Sequence, residues 1–157
     1  MRTPANIAKH PIHPMLVPIP IGLWVFSLVC DLVYLAGGSS TWHTVAFYNM
    51  AAGVIGALLA AIPGLIDMLS LPAGPRKTAL THMGINLTVV ALYVVNIYVR
   101  TSNPDNVHLG VWLSVIAILL LLVSGWLGGK MVYEYGIAVD TGGEPARVDV
   151  RRERLHT

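Results

Sequence analysis

Four long apolar stretches constrain this sequence more than any other feature. Each reaches the roughly 20 residues that a helix needs to cross the hydrocarbon core of a bilayer. They cover residues 14–36, 43–71, 76–100 and 108–132. Charged residues make up 11% of the chain, whereas they form about a quarter of an ordinary soluble domain. The sequence therefore predicts an all-α integral membrane protein, a four-helix bundle in contact with the lipid bilayer.

These stretches divide the chain into three parts. Residues 1–13 are a short polar lead, residues 14–135 the four-helix transmembrane domain, and residues 136–157 a charged tail that we expect to be flexible and cytoplasmic. The lead and the first stretch resemble a signal peptide, but an apolar stretch this long is more typical of a membrane span. We interpret it as an uncleaved helix with an irregular beginning, because Pro14, Pro18 and Pro20 lie there.

The basic residues predict the orientation of the bundle. With four spans, nine of the ten lysines and arginines lie on one side of the membrane, and Arg100 alone lies on the other. Because basic residues collect on the cytoplasmic side, both termini are predicted to be cytoplasmic. The net charge is only +2 and the basic residues lie outside the apolar stretches, so nucleic acid is not an expected partner.

A polar stripe runs along the third stretch. Its members follow one another at alternating steps of four and three residues, which places them on one helix face. They are His82, Asn86, Val89, Tyr93, Asn96 and Arg100. Polar groups in hydrocarbon are costly unless they turn inward and find partners. The stripe is therefore predicted to face the bundle interior and to carry the function.

The second stretch is suited to close helix packing. Small residues recur in it every four positions in two rows, which lets a neighbouring helix approach closely. The rows are Gly53, Ala57 and Ala61, and Gly56, Ala60 and Gly64. Asp67 continues the face through Gly53 and Pro63, so its carboxylate is expected to point into the bundle. The Pro63-Gly64 pair predicts a kink.

The predicted topology sorts the histidines into two groups. His13 and His82 lie toward the cytoplasmic side, where Asp67 also arrives at the end of the second span. His43 and His108 lie toward the outer side, together with Asp31, Asn96 and Arg100. Two polar groups are therefore expected at opposite ends of the bundle.

Several short motifs together resemble a known family. They are His10-Pro11-Ile12-His13-Pro14, Gly64-Leu65-Ile66-Asp67, His82-x-x-x-Asn86 and Gly125-Trp126-Leu127-Gly128-Gly129-Lys130-Met131-Val132-Tyr133. Over roughly residues 10–140 the chain is similar to bacterial four-helix membrane proteins catalogued as domain of unknown function 2231. The resemblance implies a single bundle, multi-pass in the bacterial inner membrane, and supplies no activity. Members of that family often have a histidine where this chain has Tyr135.

Paired histidines on facing helices of a membrane bundle are a usual way to hold b-type haem through both axial positions of the iron. His13 and His82 are the candidate iron ligands, and Asp67 or Asn86 is a candidate acceptor for the free imidazole N–H. His43 and His108 are candidates for holding a second haem. The pattern predicts a haem-binding electron-transfer protein, or the membrane subunit of a redox complex, with one or two haems and a redox partner protein.

Other interpretations of the same residues stay open. Histidines near helix ends are often interfacial groups, and an intramembrane acid such as Asp67 is often a structural partner of a histidine or a lysine. Ionisable chains in a membrane also mark paths for protons, ions or small solutes, and a homo-oligomer is then expected because four helices enclose little lumen. In a third interpretation, the chain is a non-catalytic assembly subunit whose stripe ties the helices together. No hydrolase, kinase or nucleotide-binding motif is present, so we do not expect an enzyme in the chain by itself.

Overall fold

Long helices dominate the described part of the molecule. The computed structural model describes residues 3–104 and 106–139. Its elements in chain order are β1 (Asn6–Ile7), β2 (His10–Pro11), α1 (Ile12–Leu16), α2 (Pro18–Leu35), α3 (Ser40–Leu69), α4 (Ala73–Ser102) and α5 (Val107–Tyr133). α1 and α2 together give one candidate span, Ile12–Leu35, and α3, α4 and α5 give the other three. All four spans are long and apolar enough to cross a membrane, which confirms the predicted fold.

The helix ends lie close to the limits of the apolar stretches. Every observed end falls within three residues of the expected one. The first span is interrupted at Val17, between α1 and α2, because Pro18 lacks the amide hydrogen that would continue the helix. The irregular beginning predicted for this span is confirmed. α3, in contrast, runs through Pro63 as one continuous helix.

The amino-terminal residues fold back onto one end of the bundle. β1 and β2 pair as an antiparallel hairpin whose turn residues, Ala8 and Lys9, have positive φ. Ala5 is buried, and its backbone N–H donates to Asp67 Oδ1 at 2.8 Å. At the same end Ile137, which the sequence assigns to the tail, is buried in a cluster with α3 and α4 residues. The rest of the predicted flexible tail, residues 140–157, lies outside the described residues.

An aromatic pair lies at the centre of the bundle core. Trp24 of α2 stacks on Tyr93 of α4, with ring centroids 4.4 Å apart and planes 5° from parallel. The indole N–H of Trp24 also donates to the backbone carbonyl of Met50 in α3 at 3.3 Å. Val89 of α4 and Ala117 of α5 belong to the same buried cluster. All four spans therefore meet around this pair.

Large apolar side chains cover the outside of the bundle. Trp126 and Tyr133 are exposed toward one end of α5, and Trp112 toward the other. Aromatic rings at two levels match the belts that membrane proteins place at the two interfaces of a bilayer. Lipid is therefore the partner that this surface fits. The orientation with both termini cytoplasmic stays a prediction.

Two glycines of α3 let the first span approach closely. Trp24 lies over Gly53, and the His13 ring lies against Gly64. A Cβ atom at either glycine would come within 3 Å of the neighbouring ring. The close packing predicted from the small residues of this helix is confirmed at both positions.

Gly53→Ala should destabilise the protein. The added Cβ would lie less than 3 Å from three atoms of the Trp24 indole. Because overpacking of a core costs about 1–3 kcal/mol, we expect a loss of that size in the free energy of unfolding, measured by denaturant titration in detergent. Gly84→Ala is the matched control, since no atom lies within 4 Å of an added Cβ there. Equal stabilities for the two variants would contradict the packing described above.

Candidate functional site

Two imidazole rings meet at the end of the bundle where the amino-terminal hairpin packs. His13 belongs to α1 and His82 to α4, and their ring centroids are 6.4 Å apart with planes at 88°. Both side chains are half-buried. We call His13, His82, Asn86 and Ser124 the histidine cluster. It joins the first span to the third and fourth.

His13 is fixed from one side only. Its Nδ1 lies 2.8 Å from the backbone carbonyl of Ala60 in α3. A carbonyl oxygen can only accept, so Nδ1 carries the proton of the neutral ring and Nε2 has the lone pair. Gly64, one helical turn after Ala60, leaves the space that the ring occupies. The ring thus has a fixed orientation and a tautomer suited to binding through Nε2.

His82 is fixed from both sides. Its Nδ1 lies 2.9 Å from the backbone carbonyl of Ser124 and 2.9 Å from the Ser124 hydroxyl, and its Nε2 lies 3.0 Å from Asn86 Nδ2. The Ser124 hydroxyl donates to Asn86 Oδ1 at 3.0 Å. This closed set of bonds requires a neutral ring with the proton on Nδ1, because Nε2 must accept from the amide. α4 and α5 are tied together by these bonds.

Asp67 does not accept from a histidine ring of the cluster, which was the role expected for it. Asp67 is buried, and its carboxylate accepts from the backbone N–H of Ala5. The imidazole N–H of His82 goes instead to the carbonyl of Ser124, and Asn86 donates to the ring rather than accepting from it. The expected acceptor roles of Asp67 and Asn86 are therefore wrong for His82. Ser124 was missed, and its position as a polar residue in an apolar helix was the available signal.

A second cluster lies at the opposite end of α4. We call Asp31, His43, Asn96, Arg100 and Ser114 the ion-pair cluster. Arg100 donates to both carboxylate oxygens of Asp31, at 2.8 and 2.5 Å, and both side chains are almost fully buried. Arg100 Nε donates to Asn96 Oδ1 at 3.0 Å. The bidentate geometry is the strong form of a carboxylate–guanidinium pair, and it ties α2 to α4.

Asn96 extends the ion-pair cluster to α5. Its amide nitrogen donates to the backbone carbonyl of Gly110 at 2.7 Å and to the Ser114 hydroxyl at 2.9 Å. A Cβ at Gly110 would lie about as close as 3 Å to both Asn96 and Arg100. The glycine therefore provides the space in which the guanidinium and the amide meet. These contacts explain why an arginine and an asparagine are tolerated in this helix.

The other two candidate haem ligands lie in different surroundings. His43 Nδ1 is 3.2 Å from Arg100 Nη1, and the ring lies beside Tyr34 with centroids 5.2 Å apart. His108 is exposed at the second residue of α5. The ring beside His43 is therefore the phenol of Tyr34 and not the imidazole of His108, whereas His13 lies beside His82.

Apolar residues separate the two clusters. Along α4, Val89 and Tyr93 lie between Asn86 and Asn96, and both are fully buried. Tyr93 is stacked on Trp24. The polar stripe does face inward as predicted, but it is interrupted by a tightly packed apolar layer. Within residues 3–104 and 106–139, no three histidine, cysteine or acidic side chains form a group that could hold a metal ion.

One sequence comparison identifies a family. The family model described as predicted membrane protein (DUF2231) matches residues 9–141. The chain belongs to the DUF2231 family. This match covers both polar clusters, so each is part of the DUF2231 domain. Neither a curated protein nor a solved structure matches this DUF2231 chain.

Tyr135 stands where the resemblance to the family led us to expect a histidine. It packs, partly buried, against the apolar cluster formed by Met68, Leu71, Ala79 and Ile137. In this chain the position therefore contributes a phenol to an apolar cluster.

Proposed function

We propose that this DUF2231 protein binds one b-type haem between His13 and His82, and that it carries electrons in the membrane or serves as the membrane subunit of a redox complex. The observation that carries the proposal is the arrangement of the two rings. They lie 6.4 Å apart, and each Nδ1 is held by a backbone carbonyl. Metal-binding histidines have this pattern, in which one ring nitrogen is anchored and the other binds the metal.

The residues present fit such a group in two respects. Two metal–imidazole bonds of about 2 Å each, together with the ring radii, separate the centroids of a bis-imidazole site by roughly 6 Å. In the neutral tautomer of each ring, Nε2 has the lone pair that a metal would bind. In His82 that lone pair accepts from Asn86, so His82 would have to give up this bond to hold the group.

A bound haem would supply one-electron transfer, with a reduction potential set by its axial ligands, hydrogen bonds and burial. The backbone carbonyls of Ala60 and Ser124 orient the two imidazoles. The stacked Trp24 and Tyr93 rings exclude water from the side of the site that faces the bundle centre. We infer one haem per chain, since the ring beside His43 is that of Tyr34 and His108 is exposed. The proposal includes a redox partner protein and a location in the bacterial inner membrane.

The visible spectrum of the purified protein tests the proposal. We expect full-length protein from haem-replete cells to show a Soret band and a low-spin reduced spectrum, because His13 and His82 would be its two strong-field ligands. Pyridine extraction should give one haem per chain. His108→Ala is the control and should leave the spectrum unchanged, since His108 is exposed and outside the histidine cluster. A colourless protein would remove the haem proposal.

The hydrogen bonds themselves favour a second candidate, a non-catalytic assembly subunit. They link α1 to α3, α2 to α4 and α4 to α5. Interhelical hydrogen bonds of this kind hold membrane bundles together without further chemistry. A colourless but stable protein is the result that this candidate predicts. Passage along the stripe has less support, because the buried Val89 and Tyr93 interrupt it.

A further inference from the structure

We propose that His43 is a proton-binding site that controls the pairing of Asp31 with Arg100. This proposal does not rest on haem binding, because the ion-pair cluster lies at the other end of α4. His43 is the member of that cluster with access to water: 24% of its side chain is exposed, against 0% for Asp31 and 2% for Arg100. Protons from the adjoining aqueous phase can reach the cluster through its ring.

The neutral ring has one arrangement that fits its neighbours. Arg100 Nη1 lies 3.2 Å from His43 Nδ1 and can only donate. Nδ1 must therefore be the unprotonated nitrogen, and the proton of neutral His43 lies on Nε2. This is the opposite tautomer to that of His13 and His82. It makes the imidazole an additional acceptor for the guanidinium.

Protonation of Nδ1 reverses that contact. An N–H on Nδ1 would point at the N–H of Arg100, and two positive groups would face each other at hydrogen-bond distance. An alternative partner is Asp31 Oδ1, 3.8 Å from Nδ1. A shift of roughly 1 Å brings these atoms to normal hydrogen-bond length. Protonated His43 thus competes with Arg100 for the carboxylate of Asp31.

The charged and titratable groups around the His43 ring determine which side chains compete for Asp31. α2 presents Asp31 and the Tyr34 phenol, and α4 presents Arg100. α5 contributes Gly110 and Ser114 to the cluster, and neither carries a charge. Among the described residues of this cluster, Asp31 is the one acidic side chain. Protonated His43 and Arg100 therefore compete for its carboxylate. Loss of the bidentate pair loosens the link between α2 and α4 at this end.

Cys30 is a built-in reporter of that loosening. It precedes Asp31 in α2, it is fully buried, and it is the single cysteine of the chain. A pyridyl disulfide reacts with thiols in acidic as well as neutral solution, so its rate of reaction with Cys30 measures exposure of this part of α2. His43→Gln is the matched control, because an amide oxygen accepts from Arg100 but does not bind a proton in this pH range.

The ratio of Cys30 rates in wild type and His43→Gln tests the proposal on the full chain in detergent. We expect a ratio near one at pH 8 and an increase of about tenfold at pH 5, the effect of losing one hydrogen bond to a charged group. The ratio cancels the intrinsic pH dependence of the thiol. A ratio that stays near one from pH 8 to pH 5 would overturn the proposal.

Nitrogen NMR of histidine-labelled protein provides an independent measurement. The His43 signals, assigned by their absence in His43→Gln, should show Nε2–H at pH 8 and both nitrogens protonated at pH 5. An Nδ1–H tautomer at pH 8 would also overturn the proposal, since Nδ1 would then be unable to accept from Arg100.

Discussion

Asp31→Ala should lower the free energy of unfolding by about 3–5 kcal/mol, because it leaves the guanidinium of Arg100 buried and unpaired. Arg100 donates two hydrogen bonds to Asp31, and its side chain is 2% exposed. His43 and Asn96 would still contact the guanidinium, but neither carries a negative charge to balance it. Denaturant titration in detergent, followed by circular dichroism, measures the loss.

Two comparisons separate burial from charge in this prediction. Lys130 and Glu134 form a pair at 3.5 Å on the surface of α5, so Glu134→Ala should cost no more than about 0.5 kcal/mol. The double variant Asp31→Leu/Arg100→Met should regain more than half of the stability, because apolar replacement of both partners removes the unpaired charge. A loss below about 1 kcal/mol in Asp31→Ala would show that water reaches the pair.

The fold could be predicted from the sequence because the bilayer restricts what apolar segments can form. Stretches of 20 residues or more allow one structure, a helix whose backbone bonds are internal, so their ends fix the helix ends to within a few residues. The inward face of α4 followed from the spacing of its polar residues, since polar side chains in hydrocarbon must face the bundle interior. The irregular beginning of the first span followed from its prolines, although the position of the interruption, Val17, was not predicted.

The pairing of side chains was less predictable. Topology brought His13 and His82 to one end of the bundle, and the structure places them 6.4 Å apart. Their actual anchors are the backbone carbonyls of Ala60 and Ser124. Every residue has such a carbonyl, so no residue type marks the one that a ring will bind. Prediction from polar side chains alone therefore chose Asp67, whose carboxylate instead holds Ala5.

The pairing of Asp31 with Arg100 was missed for a different reason. The sequence placed both residues at one end of the bundle. The haem hypothesis gave roles there to the histidines alone and none to the contact between Asp31 and Arg100. Charge complementarity was the available signal, because an arginine in a membrane helix requires an acidic or carbonyl partner. Asp31 lies at the end of α2 that topology brings to the same level.

A comparison of His82→Ala with Asn86→Ala distinguishes the haem proposal from the assembly interpretation. His82 Nε2 accepts from Asn86, and the same atom would bind iron. If haem binds as proposed, iron and amide would compete for one lone pair. We expect His82→Ala to lose the haem. Asn86→Ala should retain it and bind it up to about fivefold more tightly, because no hydrogen bond has to be broken first.

The stability of the haem-free protein gives the matching control for this comparison. Each substitution breaks some of the bonds that join His82, Asn86 and Ser124, including the bond between His82 and Asn86. Each should therefore lower the free energy of unfolding by about 1–3 kcal/mol when haem is absent. Equal destabilisation with unequal haem content shows that Nε2 of His82 is the iron ligand. If Asn86→Ala loses haem to the same extent as His82→Ala, the network is structural and His82 does not bind iron through Nε2.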